Sequence, residues 1–430
     1  MRLVKLHHAA LGQLALNLDS PQSHFDLLHQ EQRGTAILWQ RGEVASNRWI
    51  KLRPDDPAIP DILRAREGRD DTFITPNEFD GWRAIRLLRS LRACYVDIDS
   101  QASVYDVLDL LGDKQIPGPS VVLHSGRGLH LYWLLESLPP QTLPVWQRVE
   151  DALIRALALL GADPAAKDCT RLLRLSGTRN TKNGEEVVGC VLDGHRWSLR
   201  QLAFEVLGTE GRGQNPKGEV RDIRAKRANP DKAIQGSIYA RWHLVYQDLL
   251  MISSHYGHSI PDGYRDKWLF LAGVALSWFT HAAGVEDEII GLGHKHTDLA
   301  QPGIRLAMQP TLNRAMLAAS GHKIEWQGQN VDPRYRFRRQ TLYDWLEPII
   351  PDGLLPKLKA VIPDQEARRR KMARDSARYV TNYTGHGVKA SNEQKRATAQ
   401  LMRARGWTYR AIAAELDISI STAHAWTSGA

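Results

Sequence analysis

The chain is poor in cysteine, with three residues in 430: Cys94, Cys169 and Cys190. No two of them form a Cys-x-x-Cys pair, so neither a structural zinc site nor a disulfide framework is expected. No run of 18 apolar residues occurs, and the first twenty residues, MRLVKLHHAALGQLALNLDS, lack a clean apolar stretch and a small-residue cleavage site. A soluble, cytoplasmic protein with no membrane partner is the expectation. No Gly-x-x-x-x-Gly-Lys-Ser/Thr loop is present, which argues against a built-in ATP-driven motor. A His-x-His-x-His cluster is also missing, since His7 and His8 do not make one. Acidic residues are in deficit. Lys and Arg number 57 against 48 Asp and Glu, a formal charge of +9. Residues 361–430 hold 12 of the basic and 6 of the acidic residues. A polyanionic partner fits that balance.

What is present is globular, 43% hydrophobic and 24% charged, at a length for two or three domains. An α+β domain is expected over residues 1–210. Strands are read at 35–41, 93–99, 120–125, 129–136, 171–180 and 187–194, from short apolar runs bounded by Gly and polar residues. Helices are read at 79–91, 104–112 and 145–161. Residues 211–232 form a polar, Gly-rich, charged linker. A helical domain follows at 233–330, a basic connecting region at 331–390 and a helix-turn-helix at 391–430.

Three segments carry chemistry. Asp97 and Asp99 are two apart on a strand, so both carboxylates share a face about 6–7 Å apart along it. Carboxylate oxygens suit Mg²⁺ or Mn²⁺, and two such ions can hold the attacking and leaving oxygens of a phosphoryl displacement. Solvated acids at a strand end are the plainer reading. Ser125-Gly126-Arg127-Gly128-Leu129-His130 is the second segment. Its glycines let backbone N–H groups approach an anion, and Arg127 could clamp a phosphate that Ser125 and His130 also address. An ordinary glycine hairpin is the alternative. The third segment runs from Asp168 through Arg171 and Arg174 to Lys182 and is dense in anion donors. A third carboxylate here would complete an oxygen cage with Asp97 and Asp99. Asp163 competes for that place but follows Gly161 and reads as a loop residue. A structural ion pair also suits this segment.

Together, and in this order, the segments resemble the archaeo-eukaryotic primase superfamily in its plasmid- and phage-type primase-polymerase branch. The Asp-x-Asp strand, the Ser-Gly-x-Gly-x-His turn and the acid before an arginine-rich strand carry the likeness, over about residues 70–185. The resemblance implies an RRM-like antiparallel-sheet palm with a small α/β companion unit. It implies that Asp97, Asp99 and Asp168 hold Mg²⁺ or Mn²⁺ and are catalytic. It further implies that Ser125, Gly126, Arg127, Gly128 and His130 bind the incoming nucleotide, with Arg174 and Lys182 contacting nucleotide or template. The activity implied is that of a DNA primase, a polymerase making primers on single-stranded DNA from nucleoside triphosphates. It would act in plasmid, phage or mobile-element replication, beside a separate replicative helicase. Many relatives carry a zinc-binding element, for which this chain has too few cysteines.

Residues 406–429, GWTYRAIAAELDISISTAHAWTSG, have a helix-turn-helix pattern, with Ile412, Ala413, Leu416, Ile418 and Ala423 as core. Ser421, Thr422, His424 and Thr427 would face outward toward DNA. The preceding Arg368, Arg369 and Arg370 are read as phosphate contacts, with a solvated helix face as the alternative, and a small helical docking module is the alternative for the helix-turn-helix. The rival to a primase is a catalytically inactive, DNA-binding replication initiator or regulator.

Overall fold

The structure is a computed structural model that describes residues 16–42, 48–166, 168–208, 238–326, 328–383 and 386–428, without the side chains of 283 and 378–392. The expected linker at 211–232 lies outside these residues. The chain divides into two compact units, Met1–Val361 and Ile362–Ala430. The helices between 238 and 319 fall within the first of these units.

Two antiparallel sheets dominate the larger unit. The first has six strands: β1 (Leu16–Leu18), β5 (Glu78–Phe79), β6 (Leu88–Ile98), β7 (Val121–His124), β8 (Leu129–Leu138) and β12 (Val188–Val191), in the order β1-β12-β7-β8-β6-β5. The second has four: β2 (Ala36–Gln40), β3 (Trp49–Leu52), β4 (Thr72–Ile74) and β9 (Leu173–Arg174), in the order β3-β2-β4-β9. Two short strands, β10 (Arg179–Asn180) and β11 (Glu185–Glu186), form a hairpin beyond β9. The result is a mixed α+β architecture.

β6 and β8 are buried along most of their length, which explains their continuous apolar runs rather than strict alternation. Helix α4 (Leu143–Ala156) packs on β6, and α5 (Leu199–Gly208) packs on α4 and β8. Trp146 of α4 donates its Nε1–H to the Ala93 carbonyl at 2.9 Å, fixing the helix to the strand. Two smaller helices are α1 (Pro21–Leu28) and α2 (Ile59–Arg64). α3 (Val104–Asp113) begins at a capping box between Ser103 and Asp106. Gly112 lies inside α3 rather than ending it.

One expected helix is not there. Residues 79–91 form β5, a 3₁₀ turn at Ile85–Leu87 and the start of β6. Their apolar spacing is equally that of a strand, and tertiary bonds decide. Glu78 is buried, with His29 at 3.2 Å and the amides of Arg33 and Gly34 on its carboxylate. Asn77 spans the Arg92 amide and the Cys169 carbonyl instead of capping a helix.

Four helices, α6 (Ile238–His255), α7 (Arg265–Phe279), α8 (Ala282–His296) and α9 (Gln301–Ala319), follow, with α6 and α7 packed on α4. Glu288 of α8 accepts from the amides of Ile85 and Arg86 and pairs with the Arg86 guanidinium at 3.1 Å. β13 (Ile324–Trp326), β14 (Gln329–Val331) and α10 (Arg339–Leu346) complete the region. Buried Asp248 of α6 accepts the amides of Lys359, Ala360 and Val361, which holds the end of the unit to α6.

The smaller unit contains α11 (Asp364–Tyr383), α12 (His386–Ala404), α13 (Tyr409–Glu415) and α14 (Ile420–Thr427). Ala399, Ile412, Ala413 and Ala423 form its core, with Leu416, Ile418, Met402 and Trp426 packed around them. Thr408 and Ser419 cap α13 and α14 through their side-chain oxygens.

Candidate active site and nucleic-acid interface

The last residues of β6 meet two turns. Antiparallel pairing sets Asp97 opposite His130 on β8, so both side chains point to one face. On the other side of β6 the chain returns after α4 through Gly161, whose φ of +80° reverses it. Residues 161–163 then pair with 97–99. The Asp163 amide donates to the Asp97 carbonyl at 2.7 Å, the Asp99 amide to the Gly161 carbonyl at 3.3 Å, and Ala162 bridges Ile98. This register puts Asp163 opposite Asp97, at the roughly 5 Å Cα spacing of antiparallel neighbours.

These residues line a cavity of about 430 Å³ with Asp99, Ser125, Arg127, Arg171, Arg174 and Lys182. Arg41, Phe73 and Asn180 complete its polar and aromatic wall. The structure thus brings together Asp97, Asp99, Ser125, Arg127, His130, Arg174 and Lys182. It does not bring Asp168. That carboxylate accepts from the amide and hydroxyl of Thr170, and Asp168 lines a separate cavity with Arg83, Arg86 and Glu288. The third acid of the first cavity is Asp163, in salt-bridge range of Arg171 at 3.3 Å. The place of Asp163 depends on a pairing between residues some sixty apart in sequence, and Gly161 is the local signal for it.

Neither glycine of the β7–β8 turn lines the cavity. A Cβ on Gly128 would stand 1.8 Å from the Ile98 carbonyl oxygen, so only glycine lets the turn abut the end of β6. Gly126 has a φ of +95° and packs against Asn183. The turn closes with the Ser125 amide on the Gly128 carbonyl, and Asn180 Nδ2 donates to the Ser125 carbonyl at 2.7 Å. Arg127 is left exposed at the tip.

Burial lowers the His130 pKa, and the nearby Asp97 carboxylate only partly offsets it. The ring is therefore neutral near pH 7. Its Nε2 stands 3.5 Å from Asp97 Oδ1, too long for a good hydrogen bond. Its Nδ1 is buried without a partner, a state that native proteins rarely leave unexplained. Arg174 is held rather than free: it bonds Asp71 at 2.7 Å and lies 4.8 Å over the Phe73 ring. Burial raises the Asp71 pKa, but hydrogen bonds from Thr181 and Arg174 outweigh it and hold the carboxyl below its ordinary range. Arg41, which lines the cavity, and Asp71, which holds Arg174, are marked by no motif in the sequence.

Mg²⁺ and Mn²⁺ take carboxylate oxygens, so the donor chemistry of Asp97, Asp99 and Asp163 fits such ions. As the side chains stand, Asp97 and Asp163 face His130 and Arg171. Among the described residues no three His, Cys, Asp or Glu side chains are gathered into a metal-holding group. Cys94, Cys169 and Cys190 are all buried, and burial raises the pKa of each thiol.

In the smaller unit Ser421 and His424 are exposed and Thr422 half-buried on α14, whereas Thr427, expected outward, is buried and bonds the Ala423 carbonyl. A side chain at α14's last turn faces back onto the core. Arg369 and Arg370 pair with Glu366 one turn earlier on α11, at 2.7 and 2.6 Å, and pull its pKa down to about 2. Arg368 is exposed. Among the described residues no helix is long and apolar enough to cross a membrane.

Residues 390–429 match the family model of the homeodomain-like domain. A replication protein of Clostridium perfringens is 28% identical over 224 residues, covering 49% of this chain and 52% of the relative. The chain thus spans about half the length of the curated relative it matches. The AEP domain of the cyanophage S-2L primase-polymerase superposes with a TM-score of 0.33 at 19% identity, covering 44% of this chain and 96% of that one. The primase RepB′ superposes at 0.29 and 14% identity, covering 70% of this chain and 93% of that one. At these values the structural likenesses assign neither an activity nor a residue, and the family match at residues 390–429 covers the C-terminal homeodomain-like region.

Proposed function

We propose that the larger unit is a DNA primase-polymerase that joins nucleotides on a single-stranded DNA template, and that residues 386–428 grip DNA. The observation that carries this reading is the composition of one cavity. Three carboxylates, Asp97, Asp99 and Asp163, stand with five basic side chains, Arg41, Arg127, Arg171, Arg174 and Lys182. Carboxylates that would hold divalent cations, set against cations that would hold phosphates, suit a nucleoside triphosphate. The name of the Clostridium relative, a replication protein, agrees with the setting.

In this proposal Asp97, Asp99 and Asp163 hold Mg²⁺ or Mn²⁺. Bound there, such an ion would lower the pKa of the attacking hydroxyl and neutralise phosphate charge. Arg127 and Lys182, both exposed at the rim, receive the triphosphate. His130, neutral and with an unpartnered Nδ1, offers one ring N–H without adding a charge. Arg174 is oriented by Asp71 and keeps its stack on Phe73. The reaction bonds a 3′-oxygen to the α-phosphorus of the incoming nucleotide and releases pyrophosphate; held reactants replace a bimolecular encounter. Plasmid, phage or mobile-element replication, with a separate helicase, is the proposed context.

The second reading is a DNA-binding initiator without catalysis, favoured by the absence of a gathered three-ligand group among the described residues. Primer synthesis on single-stranded DNA with Mg²⁺ or Mn²⁺ separates the two. Product from the wild type and none from Asp97→Ala/Asp99→Ala supports the polymerase. No product from either, with DNA still shifted, leaves the initiator.

A further inference from the structure

A row of aromatic rings crosses the four-stranded sheet, and Phe73 alone of them enters the chemistry above. Trp49, Trp39 and Phe73 are direct cross-strand partners on β3, β2 and β4, and Arg174 on β9 continues the row. Direct antiparallel partners point to one face, so the alignment is fixed by strand register. Ring centroids lie 6.0 Å apart for Trp39 and Trp49, and 5.2 Å apart for Trp39 and Phe73. Trp82, from the segment between β5 and β6, adds a fourth ring 5.1 Å from Trp49. None of the four is buried, and Trp82 is 36% exposed. Large rings left open together on one surface mark a contact site more often than a core.

Cations interleave the rings. The Arg83 guanidinium lies 5.2 Å from Trp49, and Lys51 Nζ 5.7 Å from Trp82. Lys51 is exposed; Arg83 is half-buried, donates from Nη1 to the Thr170 carbonyl at 3.0 Å and keeps a buried Nε without a partner. The row is continuous with the carboxylate cavity, because Phe73 and Arg174 line it. At its other end Trp82 and Arg83 line the second cavity, of about 860 Å³.

We infer that the row is a stacking platform for a single-stranded polynucleotide: bases lie on Trp39, Trp49 and Trp82, and phosphates meet Lys51 and Arg83, as the strand runs to or from the carboxylate cavity. Aromatic faces accept any unpaired base, and basic side chains between them track the backbone. A duplex, whose bases are stacked on one another, cannot use such a row. An apolar protein surface gains nothing from the interleaved cations. The inference rests on the nucleic-acid reading of the cavity but not on catalysis.

The test uses the full chain and a labelled oligodeoxythymidine strand, with binding followed by anisotropy at fixed salt. Trp82→Ala and Trp39→Ala/Trp49→Ala should each weaken binding by about 5-fold to 100-fold. Trp82→Phe should keep most of the affinity, since a ring remains. Asp97→Ala/Asp99→Ala should bind the strand like wild type while making no product, so failure of the polymerase reading and failure of this one are told apart. Trp82 is exposed, so its truncation leaves the core intact. Wild-type affinity in the Trp82→Ala and Trp39→Ala/Trp49→Ala proteins would overturn the platform. So would a duplex of the same length competing as well as the single strand.

Discussion

The two sheets of the larger unit bring different chemistry to the same cavity. The six-stranded sheet delivers acids and a histidine: Asp97 on β6, His130 on β8, and Asp163 paired onto the edge of β6. The four-stranded sheet delivers a ring and a cation, Phe73 on β4 and Arg174 on β9. In the proposed function one side would handle charge during the reaction and the other would hold something flat and anionic. The difference teaches that reaction and grip can be altered separately, because Arg174 is held by Asp71 and lies over Phe73.

The largest expected effect breaks the acidic side alone. Asp97→Asn or Asp99→Asn should lower nucleotidyl transfer by at least about 100-fold, with strand affinity unchanged in anisotropy titrations. Next comes Gly128→Ala. Its Cβ would overlap the Ile98 carbonyl, so the turn must leave the end of β6. A loss on the order of 3 kcal/mol in denaturant unfolding is expected, together with loss of transfer. On the other sheet, Trp82→Ala should cost strand binding with little change in thermal stability, since the ring is exposed.

The smallest effect is in pH. Burial pushes the His24 pKa down to about 3; its ring meets Tyr132 of β8, and its Nδ1 accepts the Ser176 amide. His243 on α6 is pushed down to about 4, also by burial. A histidine kept neutral in the fold but ordinary when unfolded stabilises fully above about pH 6.5, and that stability drains as pH falls toward the folded value. The melting temperature should therefore fall as pH is lowered from about 7 to 5. Asp71 loses stability in the same direction, but in a lower pH window. Its lowered pKa stabilises above the ordinary carboxylate range and is lost only as pH drops below it. Asp71→Asn should thus lower the melting temperature by the same amount at pH 7 and pH 5.

How far the sequence reveals each side follows from how local its signals are. Asp97 and Asp99 sit on one strand, and Ser125 to His130 on one turn, so period and spacing suffice to find them. The strand edges at 121–124 and 129–138 and the helices α6 to α8 follow from apolar runs and helical period in the same way. Asp163 is only a competing candidate to such reasoning, because its pairing with Asp97 is supplied by the fold. Asp168 looked better because arginines follow it, yet Arg174 is occupied by Asp71, a residue with no motif around it. The aromatic row is the extreme case. Its members come from positions 49, 39, 73 and 174 and align only through strand register. The false helix at 79–91 fails for a related reason, since buried Glu78 and Asn77 spend their hydrogen bonds on distant backbone.

The most direct test compares primer synthesis by Asp163→Asn and Asp168→Asn on single-stranded DNA with Mg²⁺ or Mn²⁺. With Asp163 beside Asp97 in the reacting cavity, Asp163→Asn should lose at least about 100-fold and Asp168→Asn stay within about 3-fold of wild type. An active Asp163→Asn protein beside a dead but folded Asp168→Asn protein would contradict the account.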